Sequence, residues 1–132
     1  MLDLGIAGRK AIVCGSSRGL GRASAEALAR AGAIVVVNGI DAARCAQATE
    51  EIARATGGQT RAVPADVTTR EGQDALFAAE PEPDILVTNA GGPPFKDFRQ
   101  LDREAILAGV SANMVTPIEL IQRAIDGMVA RR

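Results

Sequence analysis

The sequence predicts an α/β fold, a doubly wound parallel sheet with helices on both faces. Three observations predict it. Short apolar, β-branched runs alternate with segments of helical spacing, the connections are short, and a glycine-rich turn joins the first run to the first such segment. Strands joined by helical crossovers lie parallel, and strands buried on both faces read as continuous apolar runs.

Each element has its own signal. Residues 10–14 (KAIVC) read as a buried strand ending at the glycines. Residues 19–30 place Leu20, Ala23, Ala27 and Leu28 at helical spacing, and Gly32 closes that helix. Residues 33–38 (AIVVVN) are β-branched and continuous, a second strand. Asp41 caps a helix through Ala55, which Gly57 and Gly58 end. Residues 60–64 form a third strand, and Thr68 or Thr69 caps a helix reaching about Ala79. Pro81 and Pro83 break the chain before a fourth strand, residues 84–89 (DILVTN). A Gly/Pro loop follows, with Gly92-Pro93-Pro94 as its stiff part. Asp102 then caps a short helix, and a long helix runs from about Ser111 to Arg131.

Composition narrows the function. The chain has 132 residues, suiting one domain, with 47% apolar and 23% charged residues. A net charge of −1 gives no basic excess to bind nucleic acid or an anionic membrane. The aromatics are three phenylalanines, too few for base-stacking platforms. Cys14 and Cys45 form no CxxC pair, and there is no histidine, so no metal site is expected. Two cysteines make no disulfide framework, and residues 1–10 lack the apolar stretch of a signal peptide; a cytoplasmic location is the expectation. The longest apolar run, residues 33–37, is too short to span a bilayer. Tyrosine is also absent, so the usual acids and bases for moving a proton to a carbonyl are missing.

The turn itself reads Cys14-Gly15-Ser16-Ser17-Arg18-Gly19-Leu20-Gly21. Glycines between a strand and a helix allow a tight turn and a close backbone approach to a pyrophosphate. The helix N-terminus then offers free N–H groups and the positive end of its dipole. The same glycines also serve plain strand-to-helix turns.

The spacing GxxxGxG resembles the glycine motif of the short-chain dehydrogenase/reductase family, with Cys14 where the family has a threonine that braces the turn. Asp66-Val67 after the third strand, Asn89-Ala90-Gly91 after the fourth, and Asn113 in the long helix match further family positions in order. The resemblance runs from Gly8 to Arg132. It implies a Rossmann-type sheet of order 3-2-1-4 with later strands missing, and a nicotinamide cofactor. The cofactor contacts it implies are Gly15, Ser17, Arg18, Gly19, Leu20 and Gly21 in the turn, Asn38 at the second strand's end, and Asp66, Val67, Asn89, Ala90 and Gly91. Asn113 is the implied catalytic residue. A homodimer or homotetramer and a small carbonyl or alcohol substrate are also implied.

Selection between cofactors rests on the end of the second strand. NAD is usually held by an acid there, through the ribose 2′-OH. The position here is Gly39, which leaves room for a 2′-phosphate. In the family a basic residue at the position of Arg18 often contacts that phosphate, which a guanidinium suits; the other reading of Arg18 is a solvated charge on an exposed turn. Ile40 stands where NADP-type relatives often carry a second basic residue. NADP is therefore preferred over NAD.

Pro117 lies four residues after Asn113 and has no N–H to give the Asn113 carbonyl. Either the helix kinks and the freed carbonyl holds a water, as the family uses it, or Pro117 begins a second helix. Beyond it Ile118, Ile121, Ile125 and Met128 form a stripe that Leu120, Ala124 and Val129 widen. The breadth implies a second covered face, within one subunit or across a dimer.

The family's reaction uses Ser, Tyr and Lys, the last two in a YxxxK motif that this chain lacks. The expectation is the cofactor-binding half of an oxidoreductase with its catalytic residues beyond Arg132. A non-catalytic dinucleotide-binding module and an inactive truncated product are the other readings.

Overall fold

The computed structural model describes residues 2–92 and 95–132. Pro93 and Pro94, the stiff part of the Gly/Pro loop, lie outside the described residues. Four strands form one parallel sheet in the order β3-β2-β1-β4: β1 (Lys10–Val13), β2 (Ile34–Gly39), β3 (Thr60–Pro64) and β4 (Ile85–Val87). Helices α1 (Gly19–Arg30), α2 (Ala42–Thr56) and α3 (Arg70–Ala79) connect them, and α4 (Arg103–Val110) and α5 (Thr116–Arg131) follow. This is the order expected for a Rossmann-type sheet.

The strands alternate sides, and each side has its own core. Ala11, Val13, Val35 and Val37 face α1 and α2, where Ala25, Ala29, Cys45, Ala48 and Ile52 meet them. Ile12, Cys14, Val36 and Val63 face α3 and α5 through Leu76, Phe77, Leu120 and Ala124. Period-two alternation with both faces apolar explains why these runs show no polar gaps. The side of α1 against the sheet is made of Gly21, Ala25 and Ala29, small enough to bring its backbone close. Pro64 is tolerated because β3 is an edge strand.

The helix caps are as the sequence predicts. The Asp41 carboxylate accepts from the Arg44 amide at 2.9 Å. Thr69, rather than Thr68, caps α3 by accepting from the Gly72 amide at 3.0 Å. Asp102 caps α4 through the Ala105 amide at 2.8 Å. Gly57 ends α2 with φ +70°, a conformation that favours glycine.

Two elements differ from expectation. The fourth strand has three residues instead of six. Its partner among the described residues is β1, which itself ends at Val13. The last rung is the Cys14 amide donating to the Val87 carbonyl at 3.0 Å, after which β1 turns into the glycines and β4 loses its ladder.

The other difference is the long helix, which begins earlier than Ser111. From Arg103 to Arg131 the chain is one helix of 29 residues, widened to a π turn at Ser111–Val115. There the Thr116 amide reaches back five residues to the Ser111 carbonyl. Pro117 cannot supply the ordinary bond to residue 113, and the wider turn absorbs the defect without ending the helix. By length and composition alone this helix could also cross a membrane. Its α5 part packs on the sheet side with Thr116, Leu120 and Ala124 buried, whereas α4 has no buried residue. Arg123 sits 5.0 Å over the Phe77 ring and pairs with Asp74 at 2.8 Å, holding α5 to α3. The apolar stripe divides: Leu120 and Ala124 pack inward, while Ile118, Ile121, Ile125 and Val129 are exposed.

Candidate functional site

At the carboxyl end of the sheet the loops after β1, β2, β3 and β4 surround a cleft of about 670 Å³. Parallel α/β sheets bind ligands at this end, beside the strand where connections diverge to opposite faces. The glycine turn forms the floor. Gly15 and Gly19 have φ of +57° and +63°, a region that a side chain would strain. Gly21 is needed for space: a Cβ there would run into the Gly15 carbonyl and lie 2.8 Å from the Asn89 amide nitrogen.

The turn is tied down by buried polar groups. Ser16 is fully buried, and its hydroxyl donates to the Val13 carbonyl at 2.6 Å and accepts from the Asn38 amide at 2.9 Å. The Ser16 amide in turn donates to the Asn38 carbonyl at 2.7 Å. The Asn38 side chain accepts from the Gly15 amide at 3.1 Å and donates to the carbonyls of Val63 and Ala65 at 3.0 and 3.1 Å. Asn89 closes the ring by donating to the Gly15 carbonyl at 3.1 Å. Ser16 is therefore the brace of this turn. Cys14, at the family's threonine position, instead packs into the α3–α5 core, and burial pushes its thiol up to about 12. Cys45 is also raised by burial, and its thiol donates to the Val37 carbonyl at 3.3 Å.

Helix α1 starts at this floor with Arg18 at its N-cap. No side chain caps it and no acid lies in its first turn, whereas α2, α3 and α4 are capped by Asp41, Thr69 and Asp102. The first-turn amides and the positive dipole end thus face the cleft without a carboxylate of the protein's own, an arrangement suited to a phosphate.

The structure brings together most residues singled out in the sequence. Gly15, Ser17, Arg18, Gly19, Leu20, Asn38, Asp66, Val67, Asn89, Ala90 and Gly91 all line the cleft. Gly21 lies beneath the floor and acts through the room it leaves. Asn38 borders the cleft, but its side-chain groups are engaged by the backbone. The carboxylate of Asp66 is oriented by Thr68, whose hydroxyl and amide donate to the same oxygen, Oδ1, at 2.6 and 3.0 Å. Oδ2 has no hydrogen-bond partner among the described residues. Asn113 is not among the cleft-lining residues. It is exposed in the π turn, and its side chain donates to the Gly109 carbonyl at 3.0 Å.

Sequence reasoning gave Ser16 and Arg44 no role and Thr68 only that of a possible helix cap. Arg44 lines the cleft from the first turn of α2, together with Ile40 and Asp41. A helix that follows a parallel strand starts at the ligand end of the sheet, so its first turn was the available signal. Gly39 is also more constrained than an open position, since a Cβ would lie 2.7 Å from the Ser17 hydroxyl.

These features define a dinucleotide-binding α/β fold with the glycine turn of one enzyme class. The model of the short chain dehydrogenase family matches residues 9–132, and the chain belongs to that family. It is 30% identical to an uncharacterized oxidoreductase, YvaG, of Bacillus subtilis, over 99% of this chain and 50% of that protein. It is 43% identical over 111 residues to L-rhamnose 1-dehydrogenase (NAD(P)(+)) of Azotobacter vinelandii, covering 78% of this chain and 43% of that one. The structure of L-sorbose reductase from Gluconobacter frateurii, complexed with NADPH and L-sorbose, superposes with a TM-score of 0.89 at 30% identity, covering 98% of this chain and 51% of that one. The chain spans about half the length of the curated relatives it matches.

Proposed function

We propose that residues 1–132 are the cofactor-binding portion of a longer single-domain enzyme that uses NADP, in preference to NAD, to interconvert a small carbonyl compound and its alcohol. The observation that carries this reading is the uncapped N-terminus of α1 above a turn in which Gly21 has no room for a Cβ. The bound cofactor would supply the hydride. This chain's residues bind and orient it: the α1 amides and Gly15–Gly21 backbone at the pyrophosphate, Asp66 Oδ2 at the adenine edge, and Arg18 at the 2′-phosphate. Asn89, Ala90 and Gly91 border the ribose and nicotinamide side. The relatives' names, a rhamnose dehydrogenase, a sorbose reductase, L-xylulose reductases, a 3-oxoacyl-(acyl-carrier-protein) reductase and a CoA-ester reductase, support a carbonyl or alcohol group as the shared feature of the substrate.

The chain has no tyrosine, so the family's proton-transfer step needs residues outside these 132, and the portion by itself binds cofactor without turning over. Asn113 belongs to that later step, through its main-chain carbonyl in the π turn. The exposed Ile118, Ile121, Ile125 and Val129 support a homodimer or homotetramer packed through α5.

Titration of the purified chain with NADPH, followed by the change in reduced-nicotinamide fluorescence, tests the reading. Saturable binding that Gly21→Ala abolishes is the expected result. Failure of the folded chain to bind either NADPH or NADH at millimolar concentration would refute it.

A further inference from the structure

The cleft at the end of β2 is lined by two cations. Arg18 approaches from the glycine turn and Arg44 from the first turn of α2, and both line the same space. Gly39 lines the same space, and the Ser17 hydroxyl would lie 2.7 Å from a Cβ there. Gly39 carries no carboxylate to bind a 2′-OH or repel a phosphate, and a side chain there would require Ser17 to shift. Asp41 is the acid at this edge. Its Oδ1 accepts from the Arg44 amide at 2.9 Å, so it sits on the positive end of α2 as a cap. The Arg44 side chain itself forms no ion pair with Asp41 and no hydrogen bond among the described residues.

We infer that Arg44 is the second cation of a 2′-phosphate subsite and, with Arg18, determines NADP over NAD; this rests on the cofactor reading above. The residue directly after β2, Ile40, is apolar and exposed and cannot serve. A cation at position 44 reaches the same volume from one helical turn further on. Its placement is fixed because Cys45, the next residue, is buried against β2 through its bond to the Val37 carbonyl at 3.3 Å. Two guanidinium groups on a dianionic phosphate would form charge-assisted bonds that NAD cannot make.

The test is isothermal titration of the chain and its variants with NADP and NAD at low salt. Arg44→Ala should weaken NADP roughly tenfold or more and leave NAD within about twofold, since one charge-assisted bond of this kind corresponds to such a factor. Arg44→Lys should lie between wild type and alanine for NADP, and Arg44→Glu should weaken NADP further while still binding NAD. Arg44 is exposed, so the unfolding midpoints should match wild type and exclude misfolding as the cause. Equal losses for the two cofactors, or no loss for NADP, would overturn the role of Arg44. An NADP affinity that Arg18→Ala lowers and Arg44→Ala does not would overturn it while leaving the cofactor reading intact. Binding of neither cofactor by wild type would remove that reading, and this inference with it.

Discussion

The side-chain oxygen of Asn38, at the end of β2, accepts the backbone N–H of Gly15, 23 residues earlier in the glycine turn, at 3.1 Å. The same carboxamide donates to the carbonyls of Val63, in β3, and Ala65, just after it. One buried side chain at the end of β2 thereby ties the turn after β1 to the end of β3, and the shape of the cleft floor depends on it.

Asn38→Ala should consequently destabilise the fold by about 2–4 kcal/mol, because it leaves a buried amide and two carbonyls short of partners. Asn38→Asp should be at least as damaging, since it sets a carboxylate oxygen against the Val63 and Ala65 carbonyls. Urea denaturation monitored by circular dichroism measures both, and an unchanged midpoint for Asn38→Ala would contradict this account.

Two glycine substitutions should have opposite signs. Gly21→Ala drives a Cβ into the Gly15 carbonyl and should cost about 1–3 kcal/mol or more. A Cβ at Gly109, in α4, meets nothing within 4 Å, and Gly109→Ala should stabilise by up to about 1 kcal/mol. Thermal melts of the two variants beside wild type make the comparison.

The Cys14 thiol gives a pH signature. Its pKa is pushed up from 9.0 to about 12 by burial, so the folded chain keeps its proton where the unfolded chain releases it. Above pH 9 the unfolded state binds fewer protons, and stability should fall as pH rises from about 9 towards 12. No tyrosine is present to titrate across this range. Urea midpoints at pH 8 and pH 10 should differ in that direction, and Cys14→Ala should reduce the difference. Cys45, also raised by burial, contributes in the same sense. Alkylation of Cys14 at pH 8 should require denaturant, which mass spectrometry can follow.

Arg123 ties α5 to α3 through both the Phe77 ring and Asp74. Arg123→Ala should cost about 1 kcal/mol, with the partial exposure of Arg123 and Asp74 limiting the effect. Hydrogen exchange should show the loss first in α5 amides, and uniform loss across the sheet would argue against this local role.

The exposed isoleucines of α5 should govern association. The double change Ile121→Lys, Ile125→Lys should shift any dimer or higher species towards monomer in sedimentation velocity, with little change in the unfolding midpoint of the monomer. No shift in an associating wild type would place the interface elsewhere.

Much of this was legible from residues a few positions apart. The alternation of strands and helices, the caps at Asp41, Asp102 and Gly57, and the glycine turn are local patterns, set by side-chain periodicity, turn geometry and the free groups at helix ends. The cleft residues were named by the family resemblance, and they come together because they sit at strand ends, where a parallel sheet presents them. What tertiary structure alone decided depends on partners far apart in the chain. Ser16 replaces the expected brace because it meets Asn38, 22 residues away, and Asn89 meets Gly15 across 74 residues. The fourth strand is short because its ladder ends with β1, a matter of register that its own apolar sequence does not record. Pro117 interrupts one hydrogen bond, but whether the helix stops or widens was decided by the burial of Thr116, Leu120 and Ala124 against the sheet, which keeps the chain helical through the defect. Arg44 looks like an ordinary surface cation on an amphipathic helix. Only the placement of the first turn of α2 beside the glycine turn puts its charge in the same space as that of Arg18.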